Sequence, residues 1–121
     1  MHGGDPCGTY AGGREHLADA HALAALAADA PNNSYVSLLV LAGIAASDVI
    51  CCARLDKHSS GESHQEALAL LKQAAPEIVP ALKTLLDMKT RIAYGHKPAS
   101  AGDRKRAPRA AAALVEAARH L

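Results

Sequence analysis

The stretch "RIAYGH", residues 91–96, sets Arg91 and His96 in an Arg-x4-His arrangement. An arginine stays charged and can grip two phosphate oxygens at once, while histidine is the side chain whose ordinary pKa permits both proton removal and donation near neutrality. Such a pair could position an RNA phosphate, activate the neighbouring 2′-hydroxyl and protonate the leaving oxygen without a metal. Arg91 would then bind the charge and His96 would act as acid and base. Each residue also has a plainer reading. At roughly 100° per residue Arg91 falls opposite the apolar stripe of its helix, where Asp87, one turn earlier, is available for pairing. Gly95 suits a left-handed C-cap, which leaves His96 as the first loop residue beyond a helix end.

Asp48 is the other carboxylate that stands out. Its neighbours one helical turn away, Ile44, Ala45, Cys51 and Cys52, are apolar, so a charged Asp48 needs a partner or must hold a proton. It reads either as an anchor bonded to Arg54 or to another helix, or as a residue that orients Arg91 or His96 across the fold. The run "DRKRAPR" gathers Arg104, Lys105, Arg106 and Arg109. A run of this kind is a solvated face or, this close to His96, a patch that tracks phosphates. With no Phe and no Trp, Tyr10, Tyr35 and Tyr94 are the only side chains that could stack on bases, so base-specific reading of single strands is not indicated. Seven His and three Cys do not assemble a metal-ligand spacing: Cys51 and Cys52 diverge on a helix, and no Cys-x2-Cys or His-x3-His pair occurs. His58 and His64 flank a loop and read as residues that cap or solvate it. No metal or cofactor is expected.

The elements that must position these residues follow from apolar spacing and punctuation. Residues 1–13 are Gly-rich and aperiodic and read as a flexible N-terminal arm. Leu17, Ala20, Leu23 or Ala24, and Ala27 predict a helix over 14–29. "APNNS" breaks the pattern and offers Ser34 as the N-cap of a second helix reaching about Lys57. After "HSSGES", Glu62 or Ser63 opens a short third helix that Pro76 ends. Pro80 falls in the first turn of a fourth, whose buried stripe is Ile78, Leu82, Leu85, Met88, Lys89 and Ile92. Ser100 and Asp103 form a variant capping box for the last helix, which Pro108 should kink or whose regular start it should delay. No period-two run predicts a sheet. The expectation is an all-α antiparallel bundle of four to five helices, with residues 14–121 as one domain.

Composition bounds the rest. A chain of 121 residues buries roughly two-thirds of the surface its unfolded form exposes, so a sizeable core is available. Lacking Phe and Trp, that core must be Leu, Ile, Val and Ala, which implies closely packed helices. A formal net charge of +1 leaves any contact with nucleic acid to a local patch. Three cysteines without a framework, and no signal-like start, point to a reducing, cytoplasmic setting. Residues 35–53 are about as long as a membrane span. They include Asp48, which near the middle of a lone span costs roughly 2.5–3.5 kcal/mol, so the segment reads as a central bundle helix and no membrane is expected.

A compact all-α chain of this length, with "AGIAASDVI" on a long apolar helix and Arg-x4-His at the end of a later one, resembles the HEPN family, named for nucleotide binding in higher eukaryotes and prokaryotes. The likeness spans residues 14–120 as helix order and apolar pattern, and its specific motif is Arg91 with His96. Two positions depart from it: Ile92 follows the arginine where active members often carry a polar residue, and Pro98 stands where a toxin variant has Tyr. The resemblance implies a homodimer that brings two motifs into one cleft; Tyr94 lies inside the motif and joins Asp48 as a candidate to support Arg91 and His96. It implies an RNA- or nucleotide-binding protein, either a metal-independent ribonuclease of a toxin or defence system or a non-catalytic helical protein-interaction module. An antitoxin or nucleotidyltransferase-like partner fits the toxin case.

Overall fold

The structure, a computed structural model, describes residues 32–59, 63–94 and 98–121. The helix expected over 14–29, the arm before it, Tyr10 and His96 lie outside the described residues, and of Tyr94 only the backbone is described. The described chain is all-α.

Helix α1, Asn32–Leu55, has 24 residues and is about 36 Å long at 1.5 Å per residue. It starts before Ser34, which therefore lies inside the helix and does not cap it. Asp56 stops the helix by adopting a left-handed φ of 59°, with its N–H donating to the Cys52 carbonyl at 3.0 Å. Asp is among the few residues that take the C′ position usually held by Gly. Val36, Leu39, Val40, Ala42, Ala46, Val49 and Ile50 are all buried, so α1 is the spine of the core. Gly43 permits a close approach: a Cβ there would run into the Leu85 side chain and press on Leu114.

Helix α2, His64–Ala74, is capped by Ser63, whose hydroxyl accepts from the Glu66 N–H at 3.2 Å. It ends before Pro76, which opens a 3₁₀ turn, Pro76–Ile78. Helix α3, Val79–Tyr94, carries Pro80 in its first turn as expected and buries Leu82, Leu85, Leu86 and Met88. Lys89, assigned from spacing to the buried stripe, is exposed instead, because it sits at the stripe's edge and its ammonium can reach water. Helix α4, Ala101–Arg119, continues past the Pro108 position, and its start at Ala101 is not delayed. Pro108 removes one N–H from the ladder, and burial of Ala107, Ala110, Ala111, Leu114 and Val115 holds the helix together around it.

End contacts fix the directions. The Ala99 N–H donates to Asn33 Oδ1 at 2.6 Å, so α1 and α4 start at the same end. Arg54 at the foot of α1 donates to the Ala74 carbonyl at 2.7 Å, so α2 ends where α1 ends. Helix α3 climbs back, and it supplies the antiparallel partner for the other helices. Three helix ends thus meet at the upper pole: the starts of α1 and α4 and the end of α3. By length and apolarity α1 could cross a membrane, yet 56% of its apolar window is already covered within the bundle. Among the described residues Cys51 is a free, buried cysteine.

Candidate functional site

At the upper pole, local sequence builds the first part of the site. Ser100 is the N-cap of α4, and its hydroxyl accepts from the Asp103 N–H at 3.0 Å. Asp103 Oδ2 accepts in return from the Ser100 N–H at 3.0 Å, which completes the capping box. This reciprocal pair fixes where the Asp103 carboxylate stands. The end of α3 then delivers Arg91 to it: Nη1 donates to Oδ2 at 2.9 Å and Nη2 to Oδ1 at 2.8 Å, a two-pronged pairing. Arg106, one turn along α4, donates from Nη2 to Oδ1 at 2.8 Å. The Asp103 side chain is 1% exposed beneath Arg91 at 55% and Arg106 at 59%.

Two cations therefore share one anion, and the trio carries +1 (two arginines at +1 each, one carboxylate at −1). The Arg91 hydrogen bonds hold the Asp103 carboxyl well below the usual carboxylate range, with Ser100 and Arg106 adding to the effect against the opposing pull of desolvation. Hydrogen bonding to Asp103 also pushes the Arg91 pKa up. Lys105 and Arg109 lie exposed on the same turns of α4 and form no ion pair among the described residues. Arg104 lies over the Tyr35 ring, 4.5 Å from its centroid, which ties α4 to α1 and covers a face of that tyrosine.

The partner of Arg91 is thus Asp103, twelve residues on, and not Asp87. Asp87 is taken by Lys83 at 2.9 Å across one turn of α3. The residue that orients Arg91 is likewise Asp103, and the role considered for Asp48 goes unfilled at Arg91. Nor does Asp48 bond to Arg54, whose Nη1 goes to Ala74. Asp48 lines a small cavity of about 40 Å³ together with Ser59, Ser63, His64 and Lys89. Desolvation raises its pKa, and the His58 ring opposes that shift. Desolvation, with Asp48 adding to it, pushes the Cys51 thiol up to about 11, so it stays protonated near neutrality. Thr90 Oγ1 lies 3.5 Å from His64 Nδ1 beside this cavity.

A second surface feature lies on the neighbouring face. A groove of about 210 Å³ runs between α1 and α3, lined by Ser37, Val40, Leu41, Lys89, Ile92 and Ala93. Leu41 stands 54% exposed at its edge. Among the described residues no group of three His, Cys, Asp or Glu side chains could hold a metal ion. Chemically, the upper pole offers fixed guanidinium donors for an anion. The carboxylate beside them, Asp103, is held ionised by these donors.

The sequence singles out Arg91, Arg104, Lys105, Arg106 and Arg109 as candidates and places the capping box, but it does not show that the box carboxylate organises Arg91 and Arg106. The available signal was an acid at the N3 position of a helix with Arg106 three residues on. No family model matches the chain, and neither does any curated protein or any solved structure.

Proposed function

We propose that this chain is an HEPN-like RNA- or nucleotide-binding protein, working in the cytoplasm, whose contact surface is the basic pole at the junction of α3 and α4. One observation carries the reading: Arg91 and Arg106, both more than half exposed, are anchored on a single buried carboxylate and leave a positive surplus. Lys105 and Arg109 extend that surplus along α4. Sharing Asp103 fixes the arginines in place, which lowers the ordering entropy a phosphate would otherwise have to offset. In this reading the arginines bind phosphate and His96 supplies the proton transfer that turns binding into cleavage. The test uses labelled RNA in EDTA with wild-type protein and His96→Ala. Binding by both, with 2′,3′-cyclic phosphate ends produced by wild type alone, supports a metal-independent ribonuclease. Binding by both without cleavage leaves a non-catalytic binder, and absence of binding sinks the reading.

A second reading, a protein-interaction module, is favoured by the α1/α3 groove. Leu41, more than half exposed, lines this groove with Val40, Ile92 and Ala93, so the patch offers apolar surface that a second copy of the chain could cover with its own. A homodimer is the occupant this arrangement suits. Size-exclusion chromatography with light scattering should give a dimer for wild type and a monomer for Leu41→Glu. A wild-type monomer at high concentration rejects a homodimer on this face, and an antitoxin or nucleotidyltransferase-like chain would then be the partner to seek.

A further inference from the structure

From the four hydrogen bonds that converge on its carboxylate, we infer that Asp103 is a positioning residue which joins Arg91 and Arg106 into one receptor for a singly charged phosphodiester. The inference rests on the RNA- or nucleotide-binding reading and deepens it by naming the group that is bound.

Geometry comes first. Arg91 spends Nη1 and Nη2 on Asp103 in an end-on fork, which fixes its plane and leaves Nε and the outer protons of both Nη atoms for another acceptor. Arg106 gives Asp103 only Nη2, so Nη1 and Nε remain. Both arginines meet the same oxygen, Oδ1, each at 2.8 Å, which sets the two guanidiniums side by side over a single atom. The carboxylate itself cannot swing away, because the Ser100 N–H holds Oδ2 from below. Without Asp103 the two long side chains would repel each other and scatter.

Charge comes second. The trio carries +1, the charge that a phosphodiester neutralises. A terminal phosphate monoester, with a charge of about −1.5 to −2 near neutrality, exceeds the surplus of this trio. The trio therefore matches an internal phosphodiester of a nucleic-acid strand, and Lys105 and Arg109, on the same turns of α4, are left for the neighbouring phosphates of that strand.

The distinguishing experiment measures binding of a short labelled oligoribonucleotide, with and without a 5′-phosphate, to folded wild-type, Asp103→Asn, Asp103→Glu, Arg91→Gln, Arg106→Gln and the double arginine variant. Bulk electrostatics predicts that Asp103→Asn, which removes a negative charge, binds the polyanion more tightly. Positioning predicts the opposite: Asp103→Asn and Asp103→Glu each weaken binding by about tenfold, the second at unchanged net charge. The double arginine variant should lose little more than either single one, because the pair acts as a unit, and the 5′-phosphate should change affinity less than about twofold. Should Asp103→Asn fail to fold, Asp103→Glu carries the test. Wild-type binding that is matched or exceeded by a folded Asp103 variant, or that rises strongly with a 5′-phosphate, overturns the inference and leaves the binding reading standing. No binding by wild type removes both.

Discussion

Asp103 and Asp48 are two carboxylates in one small fold with opposite electrostatics, and their variants should differ in sign. Asp103 accepts hydrogen bonds from Arg91, Arg106 and Ser100, which lowers its folded-state pKa. Its contribution is fully present above the unfolded-state value of about 3.9 and is lost as pH falls from there through the folded-state value. Asp103→Asn should therefore lower stability at neutral pH by about 1.5–3 kcal/mol, the worth of hydrogen bonds to a charged group. That gap should begin to close only below about pH 4. Asp48 has its pKa raised by desolvation, with the His58 ring opposing the shift. Ionisation there works against folding, a penalty present above the folded-state pKa and absent below the unfolded-state one. Asp48→Asn should raise the melting temperature at neutral pH, with the gain fading as the medium is acidified toward about pH 4. Thermal melts of wild type and both variants across that range check the two signs together, and a lower melting temperature for Asp48→Asn at neutral pH would show that its carboxylate has a stabilising partner.

The elements were legible wherever a rule acts within one helical turn. Ser63 capping α2, Pro80 opening α3 and the Ser100–Asp103 box all follow from local backbone chemistry, and each is found where the spacing put it. Arg91 was not legible in the same way, because its partner lies beyond a helix end and a nearer acid, Asp87, offered a local answer that Lys83 takes instead. Ser34 misled for a similar reason: a good capping residue does not outweigh the packing of Tyr35 and Val36 that extends α1 back to Asn32. The close approach of α1 to α3 depends on Gly43 facing Leu85, a pairing between distant segments that no spacing rule reveals. It supports a coupled prediction. Leu85→Ala should cost about 2–5 kcal/mol by opening a cavity. Gly43→Ala should cost about 1–3 kcal/mol by overpacking, less the roughly 1 kcal/mol that Ala gains over Gly in a helix. The double variant should be more stable than the sum of the two, since the new methyl fills space that the missing leucine left. Urea unfolding of the four proteins measures this coupling, and strict additivity would mean that the two residues do not touch. Leu39→Ala, buried at 4% exposure on α1, should fall in the same 2–5 kcal/mol range, about that of other buried leucines.

Among the described residues the basic pole and the α1/α3 groove lie on adjoining faces, and α3 contributes to both. Arg91 turns toward α4 and the basic pole, while Lys89, Ile92 and Ala93 line the groove beside Leu41. If the groove is buried between two copies, the basic poles of both are carried on one particle, and a strand long enough to reach both gains from effective concentration without any new contact. Leu41 separates this arrangement from a merely exposed leucine. Because its side chain is more than half exposed, replacing it with Glu should change the stability of an isolated chain by less than about 0.5 kcal/mol. In an association that buries it, the same change places a charge in an apolar contact and should shift the equilibrium strongly toward single chains. Melting temperature against protein concentration distinguishes the cases. For wild type it should climb as concentration rises, because association stabilises the folded form by mass action. For Leu41→Glu it should be flat and should meet the wild-type curve at the dilute end, where both are single chains. Parallel flat curves would leave Leu41 as an ordinary surface leucine, and a Leu41→Glu curve displaced downward at every concentration would mean that Leu41 contributes to the fold of the single chain.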